Sequence, residues 1–263
     1  MKKLIWPLTI TLLTVATLLG GSGCKQEGCT DPNALNYDPE ATESNGDCDY
    51  PQLSFSVQPV VDGEALVMDQ DYVINGTTVR FETVNFYLQD FRLMDMDGTM
   101  TEAIDTILLS TPANRDFELG ELSAGHKHML TFQIGLDSAT NHLTDPSIRE
   151  SSDPLAFQSP SMHWTWDNGY IFMRVDGKVD TDGDLMVDNT LTFHLGKLPN
   201  RKQVSLMLHS NATEKDFEVA ATFDLATFFT GINLKEEFFT KTGNAPVLAA
   251  KAADNIPAAF ALP

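Results

Sequence analysis

Seven stretches after Pro51 alternate apolar and polar residues with a period of two: LSFSVQ, TTVRFETVNFYLQDFRLM, HMLTFQIGL, YIFMRVDG, TLTFHLG, VSLMLHS and EVAATFDL. That period sends successive side chains to opposite faces of an extended chain, and the runs are rich in the Val, Phe, Thr and Tyr that pack well on a pleated surface. Turn signals such as DMDG, DNG and LPNRK separate several of them. The pattern predicts an all-β fold, an antiparallel β-sandwich rather than a barrel. Near the end, Asp224 is placed to cap a short helix through LATFF, and PVLAAKAADN has the alanine-rich composition of another. These are expected as short helical additions near the C-terminus.

Before Pro51 the text is of a different kind. Residues 1–23 carry two lysines, an apolar run too short for a comfortable membrane span, and a small-residue patch. This predicts an export signal. Cys24, directly after Gly-Ser-Gly, resembles the acylated cysteine of bacterial lipoproteins, with simple secretion as the alternative. Three cysteines in an oxidising compartment leave one over. Lipid on Cys24 and a disulfide between Cys29 and Cys48 would use all three, leaving no thiolate for catalysis or metal binding. Lys25 in place of aspartate after that cysteine favours outer-membrane sorting, so an outer-membrane or cell-surface lipoprotein is expected, its periplasmic face included. Residues 24–51, dense in Asp, Asn, Pro and Gly, bury too little to form a core alone. They resemble a cysteine-bracketed module of Gram-negative envelope proteins and are read as a lipid-anchored, disulfide-closed tether. Residues 52–263 form the main domain. The formal charge of −20 becomes −22 when Lys2 and Lys3 leave with the signal. Nucleic acid is therefore not an expected partner, and the membrane is reached through the lipid.

MHWTWDNGYIF, residues 162–172, holds two of the three tryptophans. Asn168-Gly169 is a strong hairpin signal because both residues tolerate positive φ. With those two as the loop, Trp166 would face Ile171, Trp164 would face Met173 and Met162 would face Val175, giving one apolar face. Both tryptophans would then belong to the core between the sheets, with His163, Tyr170, Phe172 and Arg174 on the other face.

The mature chain has no G-x-S-x-G, H-E-x-x-H, P-loop or G-x-G-x-x-G. With thiolates used up, imidazole is the good ligand left for a borderline or soft metal. His142 lies in a loop after a strand, and His194 points away from the face of Leu191, Phe193 and Leu195. Each is either a surface or structural histidine or a ligand. His126 and His128, in HKH, share a strand face and can chelate, although a strand-end surface pair is the plainer reading. His163 neighbours Trp164, and His209 after its apolar strand reads as structural. Asp180, Asp182, Asp184 and Asp188 in VDTDGDLMVDN offer a loose calcium loop or a solvated connection. It is not an EF-hand, which would want glycine at Leu185 and glutamate at Leu191.

FQIGLDSATNHLTDP, SSDPLAFQSPSMHWTWDNGYIFMRVDG and LTFHLG together resemble the methanobactin-associated copper-binding proteins, the MbnP-like family, from about Ser54 to the C-terminus. The resemblance implies an envelope β-sandwich that binds copper through histidines, with His142 and His194 the favoured ligands; His126, His128 and His163 are weaker copper candidates from the residues themselves. It further implies that Trp164 or Trp166 is oxidised to kynurenine by a di-haem partner resembling cytochrome c peroxidases. The expected function is copper acquisition or handling without catalysis. Two other readings compete: a calcium-stabilised surface adhesion or scaffold module, and a carbohydrate-binding lipoprotein that stacks sugar on an exposed Trp164 or Trp166.

Overall fold

The structure, a computed structural model, describes residues 25–142, 146–164 and 169–263. The export signal, Cys24, Trp166 and Asn168 lie outside the described residues.

The tether holds two short strands paired in parallel, β1 (Glu27–Gly28) and β2 (Glu43–Ser44), and the Cys29–Cys48 disulfide is formed. The main domain is a β-sandwich. One five-stranded sheet contains β3 (Gln52–Val61), β4 (Glu64–Ala65), β8 (Asp116–Glu121), β13 (Asp216–Asp224) and β15 (Phe260–Ala261). The eight-stranded sheet is built on β6 (Thr77–Met94), which pairs with β5 (Asp71–Ile74), β7 (Met100–Ser110), β9 (Gly125–Ile134) and β10 (Ile171–Val179). It extends through β11 (Asn189–Gly196) and β14 (Phe239–Thr240) on one side and β12 (Lys202–Ala212) on the other. Most pairings are antiparallel as expected, but β13 joins β3 in parallel. Among the helices, α1 is Ser138–His142, α2 is Leu225–Phe228 and α3 is Pro246–Ala259. Asp224 caps α2 by accepting from the Ala226 N–H, and α3 is longer than a minor addition.

The length of β6 is possible because two breaks in its alternation are absorbed as bulges. Val79 and Phe81 face the core, and so do Val84, Phe86 and Leu88, and then Phe91 and Leu93. Strict alternation from one group would turn the next outward. Between Phe81 and Thr83 the register against β10 skips Glu82, opposite Gly177, where a Cβ would stand 1.9 Å from the Arg80 carbonyl oxygen. Asp90, with φ of 57°, takes up the second slip. Each extra residue restores the buried face after it.

The sheets enclose a core in which Phe55, Phe91 and Phe132 pack edge-on and stacked, with Ala249, Ala252, Ala253 and Ile256 of α3 covering one side. A second, separate core differs from expectation. The long connection between β9 and β10 folds back on the eight-stranded sheet, where Tyr87, Leu109, Leu136, Leu155, Met162, Trp164, Tyr170, Ile171 and Phe172 pack together. Trp164 is therefore buried, but not between the sheets. The predicted hairpin register is corrected as well: His163 bridges Tyr170, and the Ile171 N–H donates to the Met162 carbonyl. Met162 thus faces Ile171 instead of Val175. Burying Tyr170 and Phe172 as well as the tryptophan row is possible because the connection brings a core of its own.

Candidate metal site

The polar face of β10 and β11 carries the centre of the site. Arg174 stands opposite His194 in register, and Asp176 lies two residues further along β10. His194 is 6% exposed, and its Nε2 lies 2.8 Å from Asp176 Oδ1. An ionised carboxylate only accepts, so Nε2 carries the proton, and in the neutral ring Nδ1 keeps a lone pair. That Nδ1 is buried and has no hydrogen-bond partner among the described residues. Arg174 donates to the other Asp176 oxygen and to the Ser161 carbonyl, while Thr242 donates to the carbonyl of His194. Burial alone would push the Asp176 carboxyl up. The hydrogen bond from His194, with the neighbouring Arg174, outweighs it and holds that carboxyl below the usual carboxylate range.

The Trp164 ring lies over the end of β11. A Cβ built on Gly196 would stand 2.2 Å from Trp164 Cη2 and 2.8 Å from the Tyr170 carbonyl oxygen, so glycine is what lets the indole lie against the strand backbone. Trp164 is 4% exposed, and its Nε1 has no partner among the described residues. The His163 ring meets Tyr170 edge-on at 5.0 Å between centroids. Asn141 of α1 accepts the Tyr170 N–H at 2.8 Å and touches Gly169. The asparagine before His142, the tryptophan hairpin and the H-L-G strand end, three separate stretches of sequence, therefore meet at one pole. Met162 is buried beside them, whereas Met173 belongs to the core between the sheets.

His142 ends α1 and is exposed, its Nδ1 2.8 Å from the Ser138 carbonyl oxygen. It stands in a short helix and not in a loop, because Asp137 accepts the Thr140 N–H at 2.8 Å as a cap does. His126 and His128 are apart from this pole, at the start of β9, with ring centroids 6.3 Å from each other. Sequence reasoning passed over Asp176 and read His209 as structural. Asp176 orients His194, and its signal was the Arg-x-Asp spacing on the polar face of the strand. His209 packs its ring against His128 at 4.4 Å, and no sequence signal marks the bulge that puts it there.

Carboxylate oxygens of Asp180, Asp182 and Asp184 come within 4.8 Å of one another, and Asp188 is not in that group. The Asp180 carboxylate is already engaged by the N–H groups of Gly183 and Leu185, which also explains the tightness of the loop. The burial of Trp164 removes it as a platform for sugar stacking.

The MbnP family model matches residues 50–246. The solved structure of MbnP from Methylosinus trichosporium superposes with a TM-score of 0.51 over 69% of this chain and 78% of that one, at 16% sequence identity, a likeness of fold. No curated protein matches. Three quarters of the chain falls within the family model, and its sandwich has the same fold as the solved relative: the chain belongs to the MbnP family, which is linked to methanobactin and copper handling.

Proposed function

We propose that this protein is a copper-binding lipoprotein of the cell envelope that acquires or hands on copper and catalyses no reaction itself. The observation that carries the reading is His194: a buried imidazole whose Nε2 is committed to a carboxylate while Nδ1 has no partner among the described residues. A carboxylate-oriented histidine is the usual form of a metal ligand, since the second hydrogen bond fixes the tautomer and raises the basicity of the free nitrogen. Imidazole suits copper in either oxidation state. His194 would supply one ligand, and His142 and His163, whose chain neighbours Asn141 and Trp164 meet at the same pole, are the candidates for others. Met162 adds a soft neighbour.

Family resemblance supports two further parts of the reading. Trp164 or Trp166 is the residue a di-haem peroxidase-like partner would oxidise to kynurenine, and the export signal and Cys24 would place the mature protein on a lipid anchor at the outer membrane. The convergence of Asp180, Asp182 and Asp184 favours a second reading, a calcium-stabilised surface module, which would show calcium-dependent melting without copper binding.

The deciding experiment is the metal content and copper affinity of protein isolated from its natural envelope, beside His194→Ala and His142→Ala. Near-stoichiometric copper that falls in the variants supports the reading. Variants that bind copper as tightly as the parent would place the metal elsewhere.

A further inference from the structure

The sheet carries another group of imidazoles away from the tryptophan pole. His126 and His128 open β9, and His128 lies six residues before Ile134, about 20 Å of extended chain. On this strand His128 shares the parity of Leu130 and Phe132, which face the core. Across the ladder, Leu206 and Leu208 of β12 also face inward, so an unbroken strand would send His209 to the opposite face from His128. The strand is broken there. The register passes from Met207 opposite Met129 to Ser210 opposite Lys127, leaving Leu208 and His209 against His128 alone. His209 sits in the left-handed region at φ of 46°, which a residue with a Cβ adopts only against strain. The outcome of that bulge is a ring contact: His209 meets His128 at 4.4 Å between centroids and 82° between planes, while His126 lies 6.3 Å from His128.

We propose that His126, His128 and His209 form a binding site for a borderline divalent cation, of the class of zinc, nickel or copper(II). Three imidazoles held by tetrahedral metal–nitrogen bonds of ~2.0–2.1 Å have ring centres roughly 5 Å apart; the His128–His209 spacing is shorter and the His126–His128 spacing longer, so the outer rings must turn to bring all three nitrogens together. His126 and His209 are exposed and have room to turn, and His128 is the fixed member. Its Nδ1 is buried without a partner among the described residues, a polar atom for which a bound cation would supply the missing interaction. Strain spent on bringing one histidine to another is the pattern of a site, since packing alone gains nothing from placing an exposed ring there. The site is independent of His194 and of the copper reading.

Zinc alone, titrated calorimetrically into the full mature protein, tests it, because zinc is redox-silent and accepts three nitrogens and a water. His128→Gln removes the fixed ligand. His209→Asn removes an imidazole while keeping a residue that tolerates the left-handed backbone, so the bulge survives. One zinc per chain, weakened at least tenfold by either substitution and unchanged by His194→Ala, is the expected result. Zinc affinity that survives both substitutions, or that is lost in His194→Ala, would overturn the proposal. Melting curves in chelator, unchanged for His209→Asn, separate loss of the ligand from loss of the fold.

Discussion

The indole of Trp164 lies on the backbone of Gly196, so closely that a Cβ there would stand 2.2 Å from Cη2. The relationship explains why a glycine ends the H-L-G strand two residues after His194. Gly196→Ala must displace the indole or bend β11, at a cost of about 1–3 kcal/mol for overpacking a filled site. The expected outcome is a lower midpoint in denaturant together with a red-shifted tryptophan emission. A variant with parental stability and emission would show that the ring is free to move aside.

The main strands were legible because each carries its own alternation, and the run from Thr77 to Met94 was bounded to the residue. Even its bulges at Glu82 and Asp90 are marked, as the places where apolar residues change parity. The site was legible only in pieces. His142 and His194 could be named, but not the Asp176 contact, which depends on a diagonal across two strands. The Asn168-Gly169 signal misplaced the hairpin because local turn preference was overridden by the packing of Tyr170, Phe172 and Trp164 on the outer face of the sheet. The ring contact of His209, which reads as structural in the sequence, was hidden for a related reason: only pairing with β9 creates its bulge.

Asp176 ties His194 to Arg174, so Asp176→Asn should weaken copper binding roughly 10–100-fold, as removal of an orienting carboxylate does. It should also cost stability at neutral pH, about 1–3 kcal/mol for hydrogen bonds to charged groups lost from a mostly buried network. The pH dependence has a definite sign. Because the folded carboxyl is held below its ordinary value of 3.8, its stabilisation is fully present above that value and is lost as pH falls through the folded one. The difference in unfolding free energy between parent and variant should therefore be at its full size above the ordinary carboxylate value and shrink as the pH falls below it. A constant difference across that range would remove Asp176 from the network.

Lys127 is buried, and its ammonium donates to Ser123 Oγ at 2.7 Å. Burial pushes its proton affinity down, and Glu102 and Asp95 recover part of the loss. A lysine whose folded pKa lies below the ordinary 10.5 destabilises the fold at neutral pH, and the penalty fades as pH rises past the folded value and is gone above 10.5. Lys127→Met fills a similar volume without the charge. Its melting temperature should exceed the parent's at pH 7 by roughly 2–4 °C, the equivalent of about 1 kcal/mol in a domain of this size. The advantage should narrow as the pH approaches that of free lysine. A destabilised variant would mean that attraction to the two carboxylates outweighs burial.

The disulfide between Cys29 and Cys48 closes a segment in which only Cys29 and Ala34 are buried among the apolar residues. Few contacts tie it to the sandwich, the Ala124 N–H donating to the Asn33 carbonyl at 2.7 Å being one. Removing a native disulfide from a small unit costs about 2–5 kcal/mol, more than so small a core can offset. Reduction should therefore unfold residues 25–50 alone, because the two sheets and α3 bury their own apolar surface without them. Limited proteolysis with mass spectrometry should show cleavage in that segment only after reduction, with the main melting transition unmoved. A sandwich that melts earlier when this segment is reduced would show that the segment braces the start of β3.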